Sequence, residues 1–321
     1  MIYSVFRWMT GIALHWFYSS IQITGRDRIP QRGPVLLAAS HHNALVDALI
    51  AVWISPRPLR LTAKATLMEN ALLAWLLSLV GVVPLRRAAD EKKAGKDSLD
   101  PSRNASSFVK LLDVLEQGGM ILIFPEGRSH SEPELAPLKT GVARISLEAQ
   151  ASRALSGIQI IPLGINFEDK GNPGTAILAE IGEPLLLNEA GTVTVESLTV
   201  MITERLRAVS LKRPSPSPDR EAVRREGAMR QLTSPLAAWG ELTHRYLINI
   251  ARDIAVGRSR NPDDPAMLTI IYSLALILFS YSVQFTVIAL LAGPLWATAF
   301  VATLALGAYW AAHKAHMQPG A

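Results

Sequence analysis

The feature that most constrains this chain is a long stretch near its C-terminus without a charged side chain. Residues 266–312 comprise 47 residues and contain no Asp, Glu, Lys, Arg or His. A helix needs about 20 predominantly apolar residues to span the hydrocarbon core of a bilayer, so this stretch is long enough for two spans. Gly293 and Pro294 favour a turn between them. We therefore predict a transmembrane hairpin over residues 266–312, with spans at residues 267–292 and 295–312.

Charged residues flank this stretch in a pattern that predicts its orientation. All 27 acidic and 31 of the 32 basic residues lie at or before Asp264, and only Lys314 follows. Arg252, Arg258 and Arg260 precede the stretch. Because basic residues are retained on the cytoplasmic side, we expect an integral membrane protein whose catalytic domain and both termini face the cytoplasm. A buried hairpin in a soluble core is the alternative, and the length without charge argues against it.

The first 20 residues form a second apolar segment of a different kind. Aromatic rings prefer the headgroup region of a bilayer, so we predict a membrane-interfacial helix over residues 1–20. A cleaved signal peptide fits less well, because its basic residues would come first and a small-residue cleavage site would follow. The aromatic residues of this segment, placed around Arg7, are Tyr3, Phe6, Trp8, Trp16, Phe17 and Tyr18.

Between these segments the pattern is that of an α/β domain. Short apolar runs alternate with stretches of helical periodicity, such as Phe108, Leu111, Leu112 and Leu115. We therefore predict a domain of the α/β class, a mixed sheet covered by helices, over residues 21–211. The strand candidates are residues 34–39, 58–63, 81–85, 120–124, 158–167 and 176–181.

Residues 212–265 connect this domain to the hairpin. Three alternating prolines between Lys212 and Asp219 deny that segment both helix and sheet, so it is predicted to be a linker. Apolar residues from Leu236 to Ile254 then recur with an average step of about 3.6, which indicates an amphipathic basic helix. This helix is expected either to dock on the domain or to lie on the membrane.

Composition and missing motifs exclude several function classes. The chain has no cysteine, which excludes disulfide scaffolds, thiolate metal sites and cysteine nucleophiles. Its net charge of +5 does not favour a nucleic-acid partner. It also lacks the short motifs of serine hydrolases, zinc proteases, P-loop enzymes and dinucleotide-binding proteins.

Residues 40–47 follow an apolar strand candidate and include several polar side chains. In open α/β sheets, ligands bind at this carboxyl end of the strands. His42 and Asp47 can meet there if His42 lies in the turn before a helix and folds back. A carboxylate on one imidazole nitrogen leaves the other free to take a proton from a hydroxyl. We predict this pair as a general-base dyad. A surface histidine without function and a metal site that includes His41 are the alternatives, and no third strong ligand is nearby.

Basic residues follow three other strand candidates. Lys64 and Arg86 come directly after two of them, and Arg128 follows Phe124 after a Pro-Glu-Gly segment. A guanidinium binds phosphate with two parallel hydrogen bonds, so these residues together predict a cationic pocket for a phosphate monoester beside the base. Taken singly, each could be ordinary solvated surface or part of a structural ion pair.

Four blocks of this sequence resemble, in order and spacing, those of PlsC-like glycerolipid acyltransferases of the lysophosphatidic acid and glycerol-3-phosphate type. The blocks are His42-x4-Asp47, residues 81–86, residues 124–129 and residues 161–163. The resemblance covers residues 21–209. It implies that His42 is the base of an HX4D motif, that Asp47 orients it, and that the doubled histidine His41 has a supporting role. The residues implied to bind substrate are Lys64, Arg86, Glu126, Gly127, Arg128 and Ser129.

The implied reaction moves a fatty acyl group from a thioester of coenzyme A or acyl carrier protein to a hydroxyl of a glycerol-phosphate acceptor. The substrate hydroxyl is the nucleophile, so no cofactor and no metal are expected, and the partners are membrane lipids, the thioester and lysophosphatidic acid or glycerol phosphate. Residues 63–67 and 137–141 are similar to a subgroup that includes glycerol-3-phosphate and dihydroxyacetone-phosphate acyltransferases. The favoured acceptor is 1-acylglycerol-3-phosphate, with those two acceptors or another lysolipid as alternatives. A lipid-binding scaffold and a lipid hydrolase are alternatives from other classes.

Overall fold

The computed structural model describes residues 2–65, 68, 74, 77–78, 81–85, 105–130, 132, 134–171, 174–187, 193–214, 235–258 and 264–314. Its helices are α1 Ile2–Phe17, α2 Ala44–Ile54, α3 Ala105–Glu116, α4 Gly141–Arg153, α5 Val195–Ser210, α6 Pro235–Arg258, α7 Asp264–Ala292 and α8 Pro294–Lys314. Its strands are β1 Ser20–Thr24, β2 Val35–Ala39, β3 Leu59–Lys64, β4 Val83–Leu85, β5 Met120–Ile123, β6 Gln159–Phe167, β7 Ala176–Ile181 and β8 Leu185–Leu186.

Within the described residues, these strands form one mixed sheet in the order β1-β7-β6-β2-β5-β3-β4, and β8 pairs with β6. The pairs that surround β2 are all parallel, whereas β7 and β8 run antiparallel to β6. The carboxyl ends of β2, β3, β4, β5 and β6 therefore meet at one edge of the sheet. This confirms the predicted α/β class, and it brings the residues that follow these strands together.

Helices cover both faces of the sheet because β2 alternates its buried side chains between them. Leu37 belongs to a core that includes Ile50 of α2 and Leu14 of α1. Leu36 belongs to a second core, with Leu111 of α3 and Ile202 of α5. Both β2 side chains are fully buried, so the strand that leads into the histidine pair is fixed from both sides.

The N-terminal segment forms a helix, but its aromatic residues do not all behave as predicted. Phe17 is 5% exposed and Tyr18 is 1% exposed, and both pack in the first core instead of facing outward. Trp8, by contrast, is 60% exposed, together with Val5 and Met9 on the same helix. The interfacial placement of α1 stays a prediction, and it concerns only this outer side of the helix.

The C-terminal segment forms two helices that meet at Gly293. The φ of Gly293 is +93°, a backbone conformation that glycine adopts readily and that is strained for other residues. Among the described residues, one helix is long and apolar enough to cross a membrane, over Leu268–Ala292, whereas the apolar part of α8 is shorter. The amphipathic helix α6 packs against both α7 and α8. The predicted domain boundaries at residues 211–212 and 265–266 stay predictions.

Candidate active site

The turn between β2 and α2 presents the two histidines at the carboxyl edge of the sheet. Ser40, the first residue after β2, accepts a hydrogen bond from the backbone N–H of Ile165 at 2.9 Å, which ties the turn to β6. Ala44 opens α2 with a φ of +44°, a left-handed conformation that is uncommon for a residue with a side chain. Its N–H donates to Ser129 Oγ at 3.0 Å, so the loop after β5 holds this turn in place.

Asp47 contacts His41 and not His42, contrary to the predicted pair. His41 Nδ1 donates to Asp47 Oδ2 at 3.0 Å, and the backbone N–H of Asn43 donates to the same oxygen at 2.7 Å. The Asp47 side chain is fully buried in the first turn of α2. Asp47 therefore bonds both His41 and the backbone of Asn43, two residues of the turn that precedes the left-handed Ala44. His41 thus has the fixed tautomer of a general base.

The His41 ring also packs against an aromatic side chain. It stacks on Phe124 with a centroid distance of 4.0 Å and an interplanar angle of 15°. Its side chain is 9% exposed, and Nε2 makes no hydrogen bond with the residues that the structure describes. The imidazole is therefore held by one nitrogen and one face, and the other nitrogen is available to a substrate.

His42 lies on the other side of the turn, where its ring meets a third histidine. The His42 and His130 rings contact edge to face with centroids 4.9 Å apart. The His42 carbonyl accepts a hydrogen bond from Lys170 Nζ at 2.9 Å. Burial lowers the pKa of His42, and the carboxylates of Asp47 and Glu126 oppose that effect. His42 is thus favoured in the neutral form at pH 7.

Glu126 braces the histidine turn from within the protein. Its Oε1 accepts the backbone N–H of His41 at 2.7 Å, and its Oε2 accepts the backbone N–H of Ala136 at 2.8 Å. His130 Nε2 also donates to Oε2 in a short contact. Since the Glu126 side chain is fully buried, it shapes the site by fixing the two loops and not by reaching a ligand.

Arg128 is the cation best placed to meet a ligand. It is exposed, and it makes no hydrogen bond or ion pair with other described residues. Gly127 precedes it with a φ of +76°, which turns the chain outward after Glu126. Lys64 ends β3 at the same edge of the sheet and is half-buried. Arg86, the remaining predicted phosphate ligand, lies outside the described residues.

Comparison with known proteins places this site in a family. Residues 20–166 match the family model described as Acyltransferase. This segment belongs to the PlsC-like glycerolipid acyltransferase family.

Relatives of the acyltransferase segment include proteins with different acceptors in their names. The chain is 23% identical to an uncharacterized acyltransferase of Schizosaccharomyces pombe, over 83% of this chain and 52% of that protein. It is 28% identical to glycerol-3-phosphate O-acyltransferase 2 of Saccharomyces cerevisiae, over 51% of this chain and 22% of that protein. It is 23% identical to a 1-acyl-sn-glycerol-3-phosphate acyltransferase of Borreliella burgdorferi, over 62% of this chain and 72% of that protein. The chain thus spans about half the length of the first of these relatives and less than a quarter of the second.

A solved structure is also similar to the acyltransferase segment. It is the crystal structure of the 1-acyl-sn-glycerophosphate (LPA) acyltransferase PlsC from Thermotoga maritima, with 19% identity and a TM-score of 0.49. The match covers 64% of this chain and 78% of that one.

Three residues at the histidine turn, Asn43, His130 and Lys170, were not predicted as site residues from the sequence. Asn43 donates from Nδ2 to the hydroxyl of Tyr18 at 3.1 Å and to the carbonyl of Lys170 at 3.0 Å, and burial raises the pKa of that Tyr18 hydroxyl. Lys170 reaches the site because it follows β6, whose carboxyl end shares the edge with β2. No local motif marks Asn43 or Lys170. The one available signal is that Lys170 lies three residues after the strand candidate at residues 158–167.

A cleft of about 390 Å³ lies away from the histidine turn. It is formed where α1 passes the C-terminal end of α2, between Arg7, Trp8 and Trp53. Asp47 is in the first turn of α2, at the opposite end of that helix. Within the part of the chain that the structure describes, no group of three or more His, Asp or Glu side chains is placed to hold a metal ion.

Proposed function

We propose that this protein is a membrane-bound O-acyltransferase that moves a fatty acyl group from an acyl thioester to a hydroxyl of a glycerol-phosphate acceptor. The observation that carries the proposal is the buried His41–Asp47 pair, which lies at the same sheet edge as Lys64 and next to the loop that bears Arg128. This arrangement offers a base and a phosphate-binding cation within a segment of the acyltransferase family.

In this proposal His41 takes the role that spacing alone assigned to His42. Asp47 holds Nδ1 of His41 and stabilises the imidazolium, while Nε2 accepts the proton of the acceptor hydroxyl. The hydroxyl oxygen then attacks the thioester carbonyl carbon, a C–O bond forms and the C–S bond breaks. The proton returns from Nε2 to the departing thiolate, so no protein nucleophile is required.

The phosphate of the acceptor binds Arg128, and the further cations are Lys64 at the edge of the sheet and Arg86, which follows β4 in the sequence. Positioning matters most for this chemistry, because a bound hydroxyl beside its base reacts far faster than one in solution. Gly127 and Ser129 contribute through the loop itself, since one turns the chain outward and the other binds the N–H of Ala44.

The favoured acceptor is 1-acylglycerol-3-phosphate, the substrate class that the name of the Borreliella burgdorferi relative gives. Glycerol 3-phosphate is the second candidate, because the name of the Saccharomyces cerevisiae relative gives that acceptor. Dihydroxyacetone phosphate and other lysolipids are the remaining candidate acceptors. The donor is a thioester of coenzyme A or of acyl carrier protein, and no resident cofactor takes part.

The test is an acceptor panel with the full-length protein in detergent, one acyl-CoA, and free thiol release as the readout. The panel contains lysophosphatidic acid, glycerol 3-phosphate, dihydroxyacetone phosphate and a lysophospholipid without a terminal phosphate. We expect thiol release only with a phosphate-bearing acceptor, and none from His41→Ala. Thiol release that needs no acceptor would indicate a hydrolase. Lipid binding without any thiol release would indicate a scaffold.

A further inference from the structure

The three C-terminal helices pack with small and polar residues inside and large apolar residues outside. A Cβ atom on Gly240 of α6 would lie 2.1 Å from the backbone of Gly307 of α8, so these helices touch through their backbones. The other buried residues of the three helices are His244, Ala251, Ala255, Thr269, Ser273, Ala297 and Leu304. Close approach through small residues is typical of helices packed in lipid.

The outer surface of α7 and α8 completes this inside-out pattern. Four large apolar side chains around the turn at Gly293 are highly exposed, and they are Leu290, Leu291, Leu295 and Trp296, with exposures of 82%, 83%, 80% and 67%. Farther along α7, Leu278 and Phe279 are 56% and 68% exposed. A continuous apolar surface of this kind is a site for membrane or partner contact.

Helix α6 lies beside the middle of this hairpin and carries charge at that level. His244 Nε2 and the Tyr281 hydroxyl are 2.8 Å apart, and Tyr281 is near the centre of α7. Arg245, next to His244, is exposed and forms an ion pair with Glu241 at 3.3 Å. The outward face of α6 therefore places a cation and an anion level with the centre of the apolar helix.

A hairpin that crosses the bilayer is difficult to reconcile with this packing. If α7 spanned the membrane with α6 attached, Arg245 and Glu241 would lie near the middle of the hydrocarbon core, where charged side chains are costly. Helix α6 has 24 residues and is about 36 Å long, so its N-terminus would approach the far side. Residues 212–234, which connect it to the acyltransferase domain, carry nine charged side chains and would then have to cross back.

We propose that α6, α7 and α8 insert as one bundle into a single leaflet, with the turn at Gly293 inside the bilayer. The outer faces of α7 and α8 lie among the acyl chains. The exposed face of α6 lies at the headgroups, where Arg245, Arg252 and Arg258 meet the phosphates of anionic lipids. This placement replaces the spanning hairpin predicted from length, and it does not depend on the proposed acyl transfer.

The same placement brings the leaflet close to the active site. Helix α7 contacts α2, the helix that carries Asp47, and Ile270 of α7 packs against the core that α2 and β2 share. Helix α8 contacts α1, whose outer side exposes Trp8. A lipid acceptor would thus reach the histidine turn from the leaflet in which the bundle lies.

Labelling of single cysteines tests the proposal, because the natural chain has none. Three variants of the full-length protein are reconstituted in sealed vesicles of phosphatidylcholine and phosphatidylglycerol: Ala292→Cys at the turn, Asn249→Cys on the outward face of α6, and Ser152→Cys on α4 as the marker of the catalytic domain. All three side chains are exposed in the protein. Each is treated with a membrane-impermeant maleimide from outside, from inside, and after detergent.

The proposal predicts that Cys labelling at residues 249 and 152 occurs from the same side, and that residue 292 is labelled only after detergent. Labelling of residue 292 from the side opposite to residue 152 would show a spanning hairpin and overturn the proposal. Labelling of residue 292 from the same side as residue 152 would also overturn it, because the bundle would then lie in water. Protection of residue 249 in sealed vesicles would place α6 inside the bilayer and contradict its position at the headgroups.

Discussion

At the scale of single residues, the assignment of the base depends on one turn. His41 and His42 are adjacent, and the spacing of the HX4D motif alone assigns the pair to His42 and Asp47. In the structure the turn instead directs His41 to the Asp47 carboxylate and His42 to His130, and the same turn contains Ala44 with a positive φ. Such a conformation leaves no signal in the sequence, because alanine has no preference for it.

We expect His41→Ala to lower kcat by on the order of 100-fold or more, the usual effect of removing a general base. His42→Ala should be milder, because the His42 ring makes no hydrogen bond with the described residues and meets only the edge of His130. Steady-state kinetics on both variants, with melting curves as the control for folding, make the comparison. If His42→Ala is inactive and His41→Ala is active, the base follows the HX4D spacing after all.

Arg128 provides a second test at this scale, on binding instead of turnover. Arg128→Lys keeps the charge but loses the planar fork, so the KM for a phosphate-bearing acceptor should rise by roughly tenfold, the equivalent of one charge-assisted hydrogen bond of about 1.5 kcal/mol. The KM for the thioester should stay nearly unchanged. Arg205→Lys is the matched control, because Arg205 is exposed on α5, a helix that packs in the second core, on the face of the sheet opposite to α2. Equal changes in both Michaelis constants would assign Arg128 a structural role.

His42 makes stability depend on pH. Burial lowers its pKa, so the folded state binds a proton less readily than the unfolded state, in which the pKa is near 6.5. The contribution to the free energy of unfolding is absent above this value and becomes unfavourable as pH falls below it. We expect the melting temperature of the wild type to fall more between pH 7.5 and pH 5.5 than that of His42→Gln. Parallel curves for the two proteins would mean that His42 titrates alike in both states.

At the scale of elements, the sheet was the most predictable part of the molecule. All six strand candidates overlap strands of the structure, because apolar runs that alternate between two cores stand out from the polar loops. The order of the strands was not predictable, since it follows from pairing between distant parts of the chain. The position of Lys170 beside the His42 carbonyl depends on that order. Lys170 was therefore not predicted as a site residue from the sequence.

The contact between α6 and α8 also could not be predicted from the sequence, but the structure makes it testable. Gly240→Ala should lower the melting temperature, because its Cβ would meet the backbone of Gly307 and overpacking costs about 1–3 kcal/mol. Gly257→Ala is the matched control in the same helix, where a Cβ meets nothing within 4 Å. It should be neutral or stabilise α6 by about 0.5–1 kcal/mol, the ordinary gain of alanine over glycine in a helix. Similar shifts for both variants would show that α6 does not pack on α8 as described.

At the scale of the whole molecule, we propose two lipid-binding surfaces, which differ in the number of apolar side chains they expose. The bundle of α6, α7 and α8 exposes large apolar side chains along all three helices, whereas the exposed large apolar side chains among the described residues of α1 are Val5, Trp8 and Met9. Sequence composition identified both segments, because long uncharged or aromatic runs need no tertiary information. It could not identify the role of Phe17 and Tyr18, which lie in the same aromatic run and pack in the core.

A chain truncated after Pro214 separates the two surfaces. It lacks the bundle but retains α1 and the sheet, so we expect alkaline carbonate to release it from membranes that retain the full-length protein. Without carbonate it should still co-sediment with anionic vesicles, and Trp8→Glu in the truncated chain should abolish that binding, since a charge opposes insertion at the interface. The same substitution in the full-length protein is the control and should leave it membrane-bound, because the bundle remains. A truncated chain that resists carbonate extraction would contradict this expectation. The segment before residue 214 would then anchor the chain in the membrane more strongly than the three exposed side chains of α1 allow.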